Sequence, residues 1–152
     1  MKIREILTPE RTFIGVLGDS KKRVLENIAE FIQNHSNNLN AHDIFDHLIS
    51  RERLGSTGIG KGIAIPHCRL PGSQSTFGAL IRLDQKIAFD AIDDKPVDIL
   101  FVMLVPEEAH DEHLQTLATI AELFDNDEFC SALRNASAEN ELYETATNWQ
   151  NK

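Results

Sequence analysis

The chain is short of several things, and each shortage narrows what it can be. Cysteine occurs only at Cys68 and Cys130, too few and too far apart for a disulfide framework, so two free thiols in a reducing compartment are expected. No stretch approaches the roughly 20 apolar residues that a membrane helix needs. The start MKIREILTPERTF lacks the apolar core of a secretory signal. A cytoplasmic protein with no membrane insertion is the expectation. Basic residues are also scarce, 15 against 24 acidic, for a net charge of −9. Binding to DNA or RNA phosphates depends on clustered Lys and Arg, so nucleic acid is excluded as a natural partner. The same acidity repels anionic membranes and favours a partner protein with a basic face.

What is present suffices for one domain over residues 1–152, since 41% of the residues are hydrophobic and single domains commonly span about 100–200 residues. Val24, Leu25, Ile28, Ala29 and Ile32 recur at helical spacing over 20–35, with Asp19 or Ser20 available as cap. A second stripe, Ile44, Phe45, Leu48 and Ile49, follows the N-cap residue Asn40 and predicts a helix ending near Leu54 and Gly55. The pattern then turns to strand: GSTGIGKGIAIPH, TFGALIRL at 76–83, and VDILFVMLV at 97–105. The last run is almost wholly apolar, which predicts a central strand covered on both faces. The short polar interval between TFGALIRL and KIAF predicts an antiparallel hairpin inside 76–89. After Pro106, Leu114, Leu117, Ala118, Ala121 and Phe124 predict a long helix, with shorter ones at about 127–135 and 139–149. The resulting fold class is α/β: a single-domain sandwich with a mixed β-sheet flanked by helices on both faces.

The chemistry concentrates in Ser56-Thr57-Gly58-Ile59-Gly60-Lys61-Gly62-Ile63-Ala64-Ile65-Pro66-His67. Glycines at alternate positions permit positive φ and close backbone approach, and exposed N–H groups of such loops bind anions, which makes Ser56, Thr57, Gly58 and Gly60 phosphate-loop candidates. The run is not a Walker loop, because Ile63-Ala64-Ile65 continues as strand rather than helix. Pro66 ends the strand and leaves the His67 imidazole at a strand end, where loops gather. A neutral imidazole is a nucleophile toward phosphorus and titrates near physiological pH; taken by itself, a lone histidine is more often structural. Cys68 reads as a small filler beside a strand end.

The segments RERLGSTGIGKGIAIPH at 51–67, IAFDAIDDKPVDILFVMLVP at 87–106 and EHLQTLATIAELF at 112–124 closely resemble enzyme IIA of the phosphotransferase system, specifically its nitrogen-type branch. The resemblance implies that His67 accepts a phosphoryl group from a histidine-containing phosphocarrier protein. It also implies that His113, in His113-Leu114-Gln115-Thr116-Leu117, bonds the acceptor imidazole or its phosphate. Arg51 matches the arginine ahead of the glycine-rich loop, with Arg53 as the competing assignment, and a guanidinium there neutralises phosphoryl oxygens. Without the resemblance, His113 reads as a surface histidine at a helix start and Arg51 as a solvated cation favourable to a helix C-terminus. Lys61 departs from the mannitol-type branch, which carries an acidic residue there, and is expected as a cation beside the phosphate. His110 and His113 are three residues apart, too little for a metal site without further ligands.

The expected chemistry is in-line transfer between two histidines, which needs neither metal nor other cofactor, with positioning and charge stabilisation from the protein. The leading expectation is a phosphorylation-dependent regulator whose targets, by resemblance, include potassium-transport and nitrogen-related proteins. The alternatives are an enzyme IIA that passes phosphate to a fructose- or mannitol-type enzyme IIB, and an interaction module that is never phosphorylated.

Overall fold

Val24, Leu25, Ile28, Ala29 and Ile32 are buried along one face of helix α2 (Lys21–Asn34), as their spacing predicts. Of the two candidate caps it is Ser20 that acts, its Oγ accepting from Arg23 N at 3.2 Å. Asn40 caps α3 (Ala41–Leu54) in the same way, accepting from Asp43 N at 3.1 Å. These two helices pack on each other and on one face of a six-stranded sheet. The computed structural model describes residues 2–36, 38–109 and 111–149, without the side chains of 111–113.

The strands are β1 (Leu7–Gly15), β2 (Gly58–Gly60), β3 (Ile63–Ala64), β4 (His67–Leu70), β5 (Phe77–Ile87) and β6 (Val97–Pro106). Their order is β1-β5-β6-β3-β2, with β4 also pairing β6. The sheet is mixed: β1 runs parallel to β5 and β3 parallel to β6, while β5–β6 and β2–β3 are antiparallel. In β6 every residue but the last is buried, as a strand covered on both sides requires. Leu100, Val102 and Leu104 face the α2–α3 layer. Ile99, Phe101, Met103 and Val105 face the other layer, built from α1 (Ile3–Ile6), α4 (Asp111–Phe124), α5 (Asp127–Asn135) and α6 (Glu139–Asn148).

Two expectations need correction. TFGALIRL and the start of KIAF do not form a hairpin; they lie on the single strand β5, and the hairpin joins β5 to β6 instead. Asp84, Gln85 and Lys86 read as a turn because they are polar, but they are polar because the strand there is exposed. The predicted stripe of α4 is right at Leu117, Ala121 and Phe124, which pack on the core, but the buried face also takes in Thr116 and Ile120, whereas Leu114 is 64% exposed and Ala118 faces solvent. Strand β1 carries no clean alternation because Pro9, Glu10 and Arg11 fall in an irregularity between the paired residues Leu7 and Thr12. Arg11 is buried there, donating to Gly78 O at 2.9 Å and Ile6 O at 3.0 Å.

Candidate functional site

Strands β3 and β4 lie end to end along the same edge of β6. Ile63 pairs with Ile99, and His67 with Met103, four positions further on, about 13 Å at strand rise. Proline at 66 has no N–H for the ladder, so the edge is interrupted at Ile65-Pro66 and resumes when Pro66 O accepts from Met103 N at 2.9 Å. His67 thus opens a strand rather than closing one.

The His67 ring is held by its own turn: Nδ1–H donates to Ile65 O at 2.8 Å. Because a carbonyl only accepts, this bond fixes the neutral tautomer with the proton on Nδ1 and the lone pair on Nε2. Burial pushes the pKa of His67 below its ordinary value; the Ile65 hydrogen bond and nearby Glu52 oppose this, and the charge of Arg51 reinforces it. The imidazole is therefore neutral, with a nucleophilic nitrogen, at pH 7.

His67 lines an open cleft of about 370 Å³ together with His47, Ser50, Arg51, Leu54, Cys68 and Arg69. Positions 47, 50, 51 and 54 recur at i, i+3, i+4 and i+7, so a single face of α3 forms one wall. Arg51 Nη1 donates to Gly55 O at 2.8 Å across the end of that helix, which uses one of the five N–H donors a guanidinium carries. Two arginines in one cleft make it cationic in a chain of net charge −9, the electrostatic setting a dianion requires. Arg53 is exposed and does not line this cleft. Burial pushes the Cys68 thiol up to about 12, so beside the imidazole it is inert as a nucleophile.

Of the other residues singled out in the sequence, two histidine side chains fall outside what the structure describes and the rest line other parts of the fold. His113 falls in the first turn of α4, but its side chain is outside the described residues, and His110 is wholly outside them. Ser56 Oγ donates to Phe89 O at 2.7 Å and accepts from Gly58 N at 3.0 Å. Ser56 and Gly58 line a different cleft, with Ile59, Asp90 and Ile92. The Thr57 hydroxyl donates to Glu52. Gly60, at φ +99°, turns the chain beside Asp93. Lys61 does not stand beside His67: its Nζ bonds Asp125 Oδ1 at 3.2 Å and Asp127 Oδ1 at 3.1 Å. Its turn aligns with Asp98 and Ile99, the opposite end of β6 from Met103. The expectation of a cation beside the phosphate is thereby corrected for Lys61.

Glu52 escaped the sequence reading. Its side chain is 2% exposed and pairs with Lys21 Nζ at 3.0 Å. A signal was available, because Ile44, Leu48 and Glu52 continue one i, i+4, i+8 stripe, all three buried.

Residues 5–149 match the family described as phosphoenolpyruvate-dependent sugar phosphotransferase system, EIIA 2. The chain belongs to that family. It is 48% identical over 151 residues to the nitrogen regulatory protein of Pseudomonas aeruginosa, covering 99% of this chain and 98% of that one. The crystal structure of nitrogen regulatory protein IIA-Ntr from Neisseria meningitidis superposes with a TM-score of 0.88 at 39% identity, over 95% of this chain and 99% of that one. Mannitol IIA from Escherichia coli shares the fold, with a TM-score of 0.74 at 16% identity, over 91% of this chain and 97% of that one. The EIIA fold and nitrogen-regulatory kinship follow directly. Among the described residues no helix is long and apolar enough to cross a membrane.

Proposed function

We propose that His67 is the phosphoacceptor of this EIIA protein, taking a phosphoryl group on Nε2 from a histidine-containing phosphocarrier protein. The observation that supports this most is the Nδ1–H bond to Ile65 O, which leaves the lone pair on Nε2 in a half-buried ring that shares a cationic cleft with Arg51. In the transfer, Nε2 attacks phosphorus in line, a new N–P bond forms as the donor's N–P bond breaks, and the electron pair returns to the donor ring. The Nδ1 proton stays in its hydrogen bond throughout. Arg51 neutralises the equatorial oxygens, and the arrangement acts by positioning and electrostatics, as phosphoryl transfer requires. His113 is the second imidazole in this reading, contacting the acceptor ring or its phosphate from the start of α4. Ser56, Thr57 and Gly58 act at a distance, by shaping the loop, because the two hydroxyls are spent on Phe89 and Glu52 and the N–H groups of Thr57 and Gly58 on Glu52 and Ser56.

The protein works in the cytoplasm as a regulator, its targets reading whether residue 67 carries phosphate; potassium-transport and nitrogen-related proteins are the candidates. Kinship to proteins named nitrogen regulatory protein supports this over a sugar-transport role. Intact mass after incubation with phosphorylated phosphocarrier protein tests the reading. Wild type should gain the mass of one phosphoryl group and His67→Ala none. Equal labelling of both proteins refutes it. Rapid onward transfer to a fructose- or mannitol-type enzyme IIB would replace the regulatory role by a transport one.

A further inference from the structure

We infer that Glu52 is a positioning residue that aims the His67 imidazole through Thr57 and Ile65. The inference rests on the reading of His67 as acceptor and adds to it a residue that never touches the phosphoryl group. Its basis is one unbroken series of bonds. Glu52 Oε1 and Oε2 accept from Thr57 N at 3.2 and 3.3 Å, and Oε1 accepts from the Thr57 hydroxyl. Thr57 O accepts from Ile65 N at 3.0 Å. Ile65 O accepts from His67 Nδ1 at 2.8 Å.

The weak point of this series is the peptide that carries the Ile65 carbonyl. Its nitrogen belongs to Pro66 and has no hydrogen to anchor it in the sheet. The carbonyl that sets the imidazole's tautomer therefore depends on the bond at Ile65 N, hence on where Thr57 stands. Thr57 is 5% exposed and is fixed by Glu52 at both its N–H and its hydroxyl.

A carboxylate is an expensive choice for that place. Glu52 sits where an apolar side chain would continue the Ile44–Leu48 stripe, and burying a charge is unfavourable unless it is paired and hydrogen-bonded. Lys21 supplies the pair at 3.0 Å. Lys21 is itself held over the Phe89 ring, 4.6 Å from its centroid, and lies 3.5 Å from Asp90. Packing alone explains none of this, whereas an acceptor for two donors of one residue explains the carboxylate. The arrangement fits an outer residue that orients a reactive imidazole by way of backbone groups, much as outer partners orient metal-bound histidines.

Glu52→Gln tests the proposal, since it keeps one oxygen acceptor for Thr57 N but cannot serve both Thr57 donors and Lys21. The readouts are the tautomer of His67, by nitrogen-15 NMR at a pH where the ring is neutral, and the kinetics of transfer from phosphorylated phosphocarrier protein. A loss of positioning should shift the neutral ring from all Nδ1–H toward a mixture. It should lower kcat by about tenfold with KM changed by less than about twofold. Thr57→Val, which removes only the hydroxyl, should move both readouts the same way by less. A folded Glu52→Gln protein with the wild-type tautomer and kcat overturns the inference. If that variant fails to fold, a folded Thr57→Val protein with both readouts unchanged overturns it instead. Failure of the acceptor reading is recognised separately, by the absence of phosphate on wild-type residue 67, and leaves the tautomer comparison valid.

Discussion

Arg51 and Glu52 are neighbours in the chain that α3 turns to different sides: the guanidinium lines the cleft with His67, while the carboxylate points inward to Lys21 and Thr57. One helical turn thus brings charge to the cleft and holds the loop that leads to the imidazole. The separation follows from the helix itself, where successive residues lie about 100° apart around the axis.

Replacing Arg51 by alanine should slow phosphoryl acceptance by about 100-fold, the order expected when one preorganised donor to a developing charge is removed. Lysine at the same place should restore part of the rate, since it keeps the charge but not the planar fork. Stopped-flow or quenched measurements against a phosphorylated donor give both rates, and thermal melting should show the two variants folded like wild type.

His67 carries a pH signature. Burial is the leading cause that places its folded pKa below the ordinary 6.5, and the unfolded chain titrates near that ordinary value. The unfolded state therefore binds more protons between the two values, and stability rises with pH in that window. The contribution is fully present above about pH 6.5 and is lost as pH falls through the folded pKa. Proton NMR should find His67 titrating below 6.5. The slope of stability against pH below 6.5 should shrink in His67→Gln.

Gly58 is required by space. A Cβ there would stand 2.7 Å from Ala91 Cβ and 2.9 Å from Ala91 Cα, and a backbone carbon cannot step aside. Gly58→Ala should destabilise the fold by about 1–3 kcal/mol, the usual cost of overpacking. Urea denaturation checks it. At Gly62 a second cause applies: φ is +82°, and a Cβ would meet Arg134 Nη2 at 2.7 Å and Asp98 Oδ1 at 2.9 Å. Arg134 donates to Asp98 through Nε at 3.0 Å and Nη2 at 2.9 Å, so Gly62→Ala should also disturb that ion pair.

Periodicity made much of this molecule legible. The stripes of α2 and α3, their caps Ser20 and Asn40, and the apolar run of β6 specify the layers, because burial on one or both faces leaves its mark on residue order. The Pro66-His67 step carried the imidazole to an interruption in the sheet edge for a local reason, the missing N–H. Features that depend on distant partners were not legible. Strand β1 was hidden by Arg11, whose charge reads as surface although backbone carbonyls of Ile6 and Gly78 hold it inside. Asp84 to Lys86 read as a turn because exposure and turning select the same residue types. Lys61 read as a cation for phosphate because its true partners, Asp125 and Asp127, lie more than sixty residues away in sequence. Glu52 lay in plain sight on the Ile44–Leu48 stripe, but a charged residue there breaks the very pattern that marks a buried face.

The two thiols should behave as buried groups. Cys68 and Cys130 are both enclosed, and burial raises the pKa of each, that of Cys68 to about 12. A thiol-specific reagent at pH 8 should label neither in the native protein and both after denaturation. Rapid native labelling of Cys68 would mean that the floor of the cleft opens.

The most direct test of the account is where the phosphorus goes. Nitrogen-15 and phosphorus-31 NMR of the protein phosphorylated by its histidine-containing donor should show a single phosphoramidate, bonded to Nε2 of His67, with the Nδ1 proton retained. Phosphate on Nδ1, on another residue, or on none would contradict it.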